Sequence, residues 1–195
     1  LLYNNRIGLL TQQRTDGSFY NLRTNVGNSA SKGAEVLIEF SPVKAFIEKS
    51  NFGNITLFAS LAFIDAHYGN FRIVTRQGNN LVESTIKNNR VENAPERILR
   101  TGITYTHKKI TVTVQYNYVS NAFSDANNTL TPVSTGVNGL IPSYEVVDAA
   151  ATYKFNDRFF IKTGLNNMLN EKYFTRRAGG YPGPGVMTAE PCNFF

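Results

Sequence analysis

The chain has 195 residues, an apolar fraction of 42%, and 20 Lys+Arg against 14 Asp+Glu for a net charge of +6. That is enough chain for one large domain or two small ones and for a core, but no run reaches the roughly 18 consecutive apolar residues of a membrane helix, which excludes a helical membrane protein. The cations are scattered, with Arg176-Arg177 and Lys108-Lys109 as the only like pairs, so no basic stripe marks a nucleic-acid surface, and the single Cys192 excludes an internal disulfide or a cysteine metal cluster.

Taken in chain order, the elements are strands. "LLYNNRIGLL" (1–10) opens the series mid-pattern, with no initiator Met and no leader, which predicts a mature or truncated product. In "KGAEVLIEFS" (32–41), Ala34, Val36, Ile38 and Phe40 alternate with Glu35, Glu39 and Ser41. "NITLFASLAF" (54–63) sets Ile55, Leu57, Ala59, Leu61 and Phe63 against Thr56 and Ser60, and "RILRTGITYT" (97–106) follows. The clearest case is "KITVTVQYNYVS" (109–120), where Ile110, Val112, Val114, Tyr116 and Tyr118 share one parity and Thr111, Thr113, Gln115 and Asn117 the other. "YEVVDAAATYKF" (144–155) and "RFFIKTGLN" (158–166) repeat the period, and "CNFF" (192–195) reads as the start of an eighth strand that is cut off.

The connections set the architecture. Links at 106–109 and 154–158 are tight, whereas those at 67–90, 121–143 and 167–191 are about twenty residues or longer and rich in Asn, Gly, Ser and Pro. The link at 42–53 falls on the short side but exceeds its partners in length. Short turns at one rim, long loops at the other and amphipathic strands of about ten residues predict an all-β, antiparallel, up-and-down transmembrane barrel segment. With the tight turns in the periplasm, Tyr153, Phe155 and Phe159 fall at the inner interface and Tyr116 and Tyr118 at the outer one, where aromatic girdles belong. Closure is obligatory in lipid, where every backbone N–H and C=O must be paired. Thr111, Gln115, Asp148 and Lys154 then face the lumen.

Five stretches carry a resemblance: "NVGNSASKGAEV", "NRVENAPERILRTGITY", "DANNT", "GLIPSYEVVDAAATYKF" and "GLNNMLNEKYFTRRAGGYPGPGVMTAEP". In this order, from about residue 25 onward, they are similar to the C-terminal barrel of TonB-dependent outer-membrane receptors, nearest to the ferric-citrate/siderophore type. The resemblance implies a barrel of about 22 strands, filled by an N-terminal plug, that imports metal chelates with energy passed from TonB. Residues 1–195 would supply about eight of those strands, the last truncated, with the plug absent from this chain. The implied partners are a ferric chelate, outer-membrane lipid and lipopolysaccharide, and TonB through the plug, with no nucleic acid; the implied location is the bacterial outer membrane.

Arg176, Arg177 and Tyr181, all in the last long loop, are the candidate substrate-binding residues. A guanidinium fork matches the carboxylates of a ferric chelate, and Tyr181 in "GYPGPG" offers a ring for stacking. The competing readings are lipopolysaccharide contact or pairing with Glu171 or Glu190 for the arginines, and a loop-shaping Pro/Gly turn around Tyr181. His67 and His107 lie on opposite sides of the membrane in this topology, and "SDANNT" lacks the spacing and terminal Glu of a calcium loop, so no metal ligands or cofactor are expected. Phosphate-loop, nucleophile-elbow and zinc-helix motifs are missing, so an enzyme is not expected. Two alternatives stand beside a transporter fragment: a self-sufficient eight-stranded membrane barrel with a structural or adhesive role, and a soluble ligand-binding β-barrel.

Overall fold

A two-residue period of apolar and polar side chains can be honoured only by strands whose two faces meet different surroundings. The structure, a computed structural model, describes residues 2–47, 51–178, 185–188 and 193–194. In chain order its strands are β1 (Leu2–Gln13), β2 (Phe19–Phe40), β3 (Asn54–Gln77), β4 (Asn80–Ile86), β5 (Arg97–His107), β6 (Ile110–Val119), β7 (Ala122–Phe123) and β8 (Leu140–Ile141). They continue with β9 (Tyr144–Lys154), β10 (Phe160–Asn166), β11 (Phe174–Ala178), β12 (Gly185–Thr188) and β13 (Asn193–Phe194). The one helix among the described residues, α1 (Pro42–Phe46), starts on a proline whose fixed φ suits the first helical turn and lies in the longer of the short-side links.

The main sheet runs β1-β2-β3-β5-β6-β9-β10-β13, with β4 paired to β3 off this path. Every pairing along the path is antiparallel. The two ends, β1 and β13, do not pair with each other among the described residues. Among the described residues the sheet is therefore an open antiparallel meander.

Register turns the alternation into two opposed faces. One row across six strands reads Phe40, Leu57, Ile103, Val114, Ala149 and Leu165, apolar throughout. The row one residue along reads Glu39, Phe58, Gly102, Gln115 and Asp148, on the opposite face. Val36, Ile38, Phe40, Leu57, Ile103, Val114 and Ile161 are all exposed. A contiguous apolar face of this extent would drive aggregation in water, whereas hydrocarbon accepts it without cost. At the tight-turn end Tyr153 and Phe155 make an edge contact with centroids 4.9 Å apart, and Phe40 and Phe46 another at 6.2 Å. Phe159 is exposed at the same end. His107 stacks on Tyr105 there, while His67 sits far up β3, so the two histidines occupy opposite ends of the sheet.

The connections depart from expectation in an informative way. Residues 67–90 do not form a loop: β3 continues to Gln77, turns at Gly78, which has φ of +64°, and returns as β4. Residues 11–31 likewise extend β1 and β2 around a turn at 14–18, which Asp16 closes by accepting from the Ser18 amide and hydroxyl. That turn holds the Asp16 carboxyl below its usual pKa, mainly through the Ser18 hydroxyl. Alternation in "NFRIVTRQ" carried the strand signal, but the Asn and Gly around it read as loop. At about 3.3 Å per residue, the 24 residues of β3 extend close to 80 Å, more than twice what a tilted span of the hydrocarbon core uses.

These extensions carry their own core. Ala66, Tyr68, Ile86 and Val91 are buried together, with Leu10, Val26 and Val74 forming a second cluster against Phe71. Arg76 lies over the Phe19 ring at 4.1 Å, tying the β3–β4 hairpin to the β1–β2 hairpin. Asn128 acts as a surrogate strand for Arg90: its side-chain oxygen accepts from the Arg90 amide and its Nδ2 donates to the Arg90 carbonyl. The long loops are thereby folded structures in their own right.

Candidate functional site

On the polar face a cavity of about 800 Å³ opens between the strands and the loop segments above them. Its strand-borne lining is set by register, since Arg100 pairs with Asn117 across β5 and β6, and Gln115 pairs with Asp148 across β6 and β9. Asp148 is the organiser. One carboxylate oxygen accepts from Asn117 Nδ2 at 3.0 Å and the other from the Asn167 amide at 2.8 Å, while Gln115 Nε2 donates to Asn117 Oδ1 at 2.6 Å. The Asp148 carboxylate is thus satisfied by two neighbours, and Gln115 holds one of them, Asn117, in place.

The segment after β10 explains how the last loop reaches this cavity. Asn167 takes φ of +49°, and its side chain bonds twice to Glu171, donating to the carbonyl and accepting from the amide. Asn tolerates the left-handed region and can mimic a backbone partner, which is why this residue type occupies the corner. The compact corner delivers Tyr173, whose ring stacks on Tyr144 with centroids 4.3 Å apart at 19°. Burial, with the nearby Asp148 charge as a smaller cause, raises the Tyr173 phenol pKa, so it stays neutral.

The arginine pair splits. Arg177 lies on β11, and its Nε and one terminal nitrogen donate to the Leu140 carbonyl while the other donates to the Gly136 carbonyl. Its guanidinium also sits 4.8 Å from the Phe174 ring centroid. It pairs with neither Glu171 nor any other carboxylate among the described residues, and binds the last hairpin to the 121–143 connection. Arg176, on the opposite parity, is exposed; its guanidinium makes neither an ion pair nor a hydrogen bond among the described residues, and it does not line the cavity. Tyr181 falls between β11 and β12 in sequence and lies outside the described residues.

Arg177→Ala removes charge-assisted hydrogen bonds worth about 1.5–3 kcal/mol each when part-buried, and should raise protease cleavage within 130–143 several-fold. Arg177→Lys should not rescue it, because an ammonium cannot reproduce the planar fork. Unchanged cleavage would return Arg177 to the pool of free surface cations.

Sequence reasoning missed Arg100, Tyr144 and Tyr173 as cavity residues. Arg100 was visible as the one cation on the polar parity of "RILRTGITYT"; Tyr144 and Tyr173 are joined only by the Asn167 corner, which no local pattern announces. Asp125 in "SDANNT" closes a turn, accepting from the Asn127 amide and the Thr129 hydroxyl.

The sequence profile of the family described as TonB dependent receptor-like, beta-barrel, matches residues 2–168. The chain belongs to this family. It is a family of receptors rather than of enzymes. Solved TonB-dependent receptors share the fold at low identity. The ferric citrate transporter FecA in its unliganded form aligns with a TM-score of 0.69 at 20% identity over 86% of this chain and 23% of that one. The siderophore receptor PiuA from Acinetobacter baumannii gives 0.64 at 21% over 88% and 22%. The ferric yersiniabactin uptake receptor FyuA from Yersinia pestis gives 0.62 at 13% over 89% and 23%. The chain therefore spans under a quarter of the length of these receptors. No curated protein sequence matches it significantly.

Proposed function

We propose that the chain is the C-terminal part of the outer-membrane barrel of an active importer of ferric chelates, of the siderophore or ferric-citrate type, energised through TonB. The observation that carries this reading is the two-faced sheet: an exposed apolar row from Phe40 to Leu165 on one side and, on the other, a polar cavity of about 800 Å³ holding Arg100, Asn117 and Asp148. A soluble ligand-binding barrel would place these faces the other way round. The plug that occludes such a lumen and contacts TonB belongs, in this reading, to another part of the receptor. The last hairpin meets the chelate, with Arg176 as the side chain that pairs with its carboxylates and Tyr181 as a stacking ring. Arg177 serves by holding that hairpin in place.

The test uses the complete receptor in a bacterium stripped of its own chelate receptors, with radiolabelled ferric citrate and ferric siderophores. Uptake of at least one chelate should require both the receptor and TonB, and Arg176→Ala should weaken binding about tenfold, near 1.4 kcal/mol. Uptake that persists without TonB, or no chelate bound at all, defeats the proposal.

A further inference from the structure

The strand that carries Arg176 has little to hold it. Among the described residues β11 pairs only with β12, in a two-stranded sheet apart from the main one. Two strands alone are marginal in water, so the position of such a hairpin is set by whatever ties it to the rest of the molecule. Arg177 supplies one tie, to the Leu140 and Gly136 carbonyls, but the ladder within that 121–143 connection, β7 with β8, is only two residues on each side. A fixed reference has to come from a spanning strand.

β9 is that strand, and the chain leaving β10 touches it at Asp148, Val147 and Tyr144 in turn. β9 pairs with β6 from Tyr144 to Tyr153 and with β10 from Ala149 to Lys154, so it cannot shift without breaking both ladders. The Asn167 amide donates to an Asp148 carboxylate oxygen and the Met168 amide to the Val147 carbonyl, each at 2.8 Å, and Tyr173 then stacks on Tyr144. Between these contacts Asn167 folds the chain back on itself. Its Nδ2 donates to the Glu171 carbonyl at 3.0 Å and its Oδ1 accepts from the Glu171 amide at 2.8 Å, so one side chain closes the corner from 167 to 171. Asn167 is 3% exposed, and removing a buried amide bonded through both its groups leaves the backbone of Glu171 without those partners.

The corner ends at the Tyr144–Tyr173 stack, and β11 begins at the next residue, Phe174. Arg176 follows Tyr173 by about 10 Å of extended chain at roughly 3.3 Å per residue, so fixing the ring fixes the root of the arginine. An arginine on an untethered hairpin would have to be ordered at the moment of binding, which lowers affinity without removing any contact.

We propose that Asn167 and Tyr144 are positioning residues for chelate binding: together they index β11, and Arg176 with it, to β9. This rests on the transport reading, in which Arg176 meets the chelate. Neither residue has to touch the chelate, because each acts by holding Tyr173 in place.

The experiment measures equilibrium binding of radiolabelled ferric citrate and of a ferric siderophore to the complete receptor, with folding checked by heat-modifiable migration. Asn167→Gly tolerates the corner's φ of +49° and deletes only the side chain, while Tyr144→Leu removes the ring beneath Tyr173. Each should weaken binding about fivefold to tenfold. Added to Arg176→Ala, each should change affinity by less than about twofold, because the arginine it positions is gone. Losses that add in full overturn the proposal, since the two residues would then act independently of Arg176. Unchanged affinity in both variants overturns it as well. Should Asn167→Gly not fold, Tyr144→Leu decides alone. Hydrogen exchange without chelate gives a readout separate from the cargo: amides at 174–177 should exchange about tenfold faster in either variant, with β9 unchanged. Faster exchange there with no chelate bound by wild type defeats the transport reading alone, whereas unchanged exchange defeats the positioning role.

Discussion

Gly102→Leu should prevent the barrel from folding. A Cβ at residue 102 would stand 2.5 Å from the Val114 carbonyl oxygen and 2.6 Å from Phe58 Cζ. The first neighbour is backbone on β6, which pairs with β5 over the whole span, so relieving the contact means breaking ladder hydrogen bonds. The second is a ring that lies over the glycine on the polar face. Overpacking of this kind costs about 1–3 kcal/mol where side chains can adjust, and more where backbone must move. In the complete receptor the measurement is the fraction that migrates as the compact, heat-modifiable species on an unheated gel, and it should fall close to zero. Adding Phe58→Ala frees the ring side and should restore only part of it, because the carbonyl contact remains. Normal folding of Gly102→Leu would mean that β5 and β6 are not paired in this register.

Tyr68→Ala should unfold the structure above the membrane while leaving the spanning strands intact. Tyr68 is 1% exposed, packs with Ala66, Ile86 and Val91, stacks at a tilt on Phe71 with centroids 4.4 Å apart, and donates its hydroxyl to Glu92. Truncating a buried aromatic costs about 3–5 kcal/mol. Its backbone also receives the returning chain, since Tyr68 bonds to Asn88 and Asn89 and the Val91 amide donates to Ala66. Hydrogen exchange at residues 88–91 should accelerate by at least a hundredfold, with amides of β6 and β9 unchanged, as expected for separate cooperative units. Tyr68→Phe should have a smaller effect, about 1–3 kcal/mol, through the unpaired Glu92 carboxylate. Protection at 88–91 that survives Tyr68→Ala would show that this core does not depend on its largest side chain.

How much of this was legible beforehand depended on whether a signal was local. The spanning strands were, because "KITVTVQYNYVS" carries its two faces in five consecutive pairs and β6 begins and ends where that alternation does. The tight turns were legible for the same reason. The extensions of β2 and β3 were not, because Asn, Gly and Ser within 67–90 have poor strand propensity and are held in the ladder by neighbours such as Phe71 and Tyr68. The arginine pair shows the limit at the site. Sequence gave the two residues one role, yet alternation along β11 turned Arg177 onto the Leu140 and Gly136 carbonyls and left Arg176 outside. Only the long-range meeting of residues some forty positions apart separates them.

The difference in strand length has a consequence for what can approach from outside. β3 carries 24 residues, whereas β5 and β9 carry 11 each. At about 3.3 Å per residue the surplus is near 40 Å of chain, and a strand tilt of about 40° still leaves a step of roughly 30 Å. The outer edge of this sheet is therefore uneven: a tall parapet of strands stands on β1 to β4, whereas β5 to β10 stop lower and are topped by the 121–143 connection and the β11–β12 hairpin. Within the receptor proposed above, a particle as broad as a globular protein should meet that parapet before it reaches Arg100.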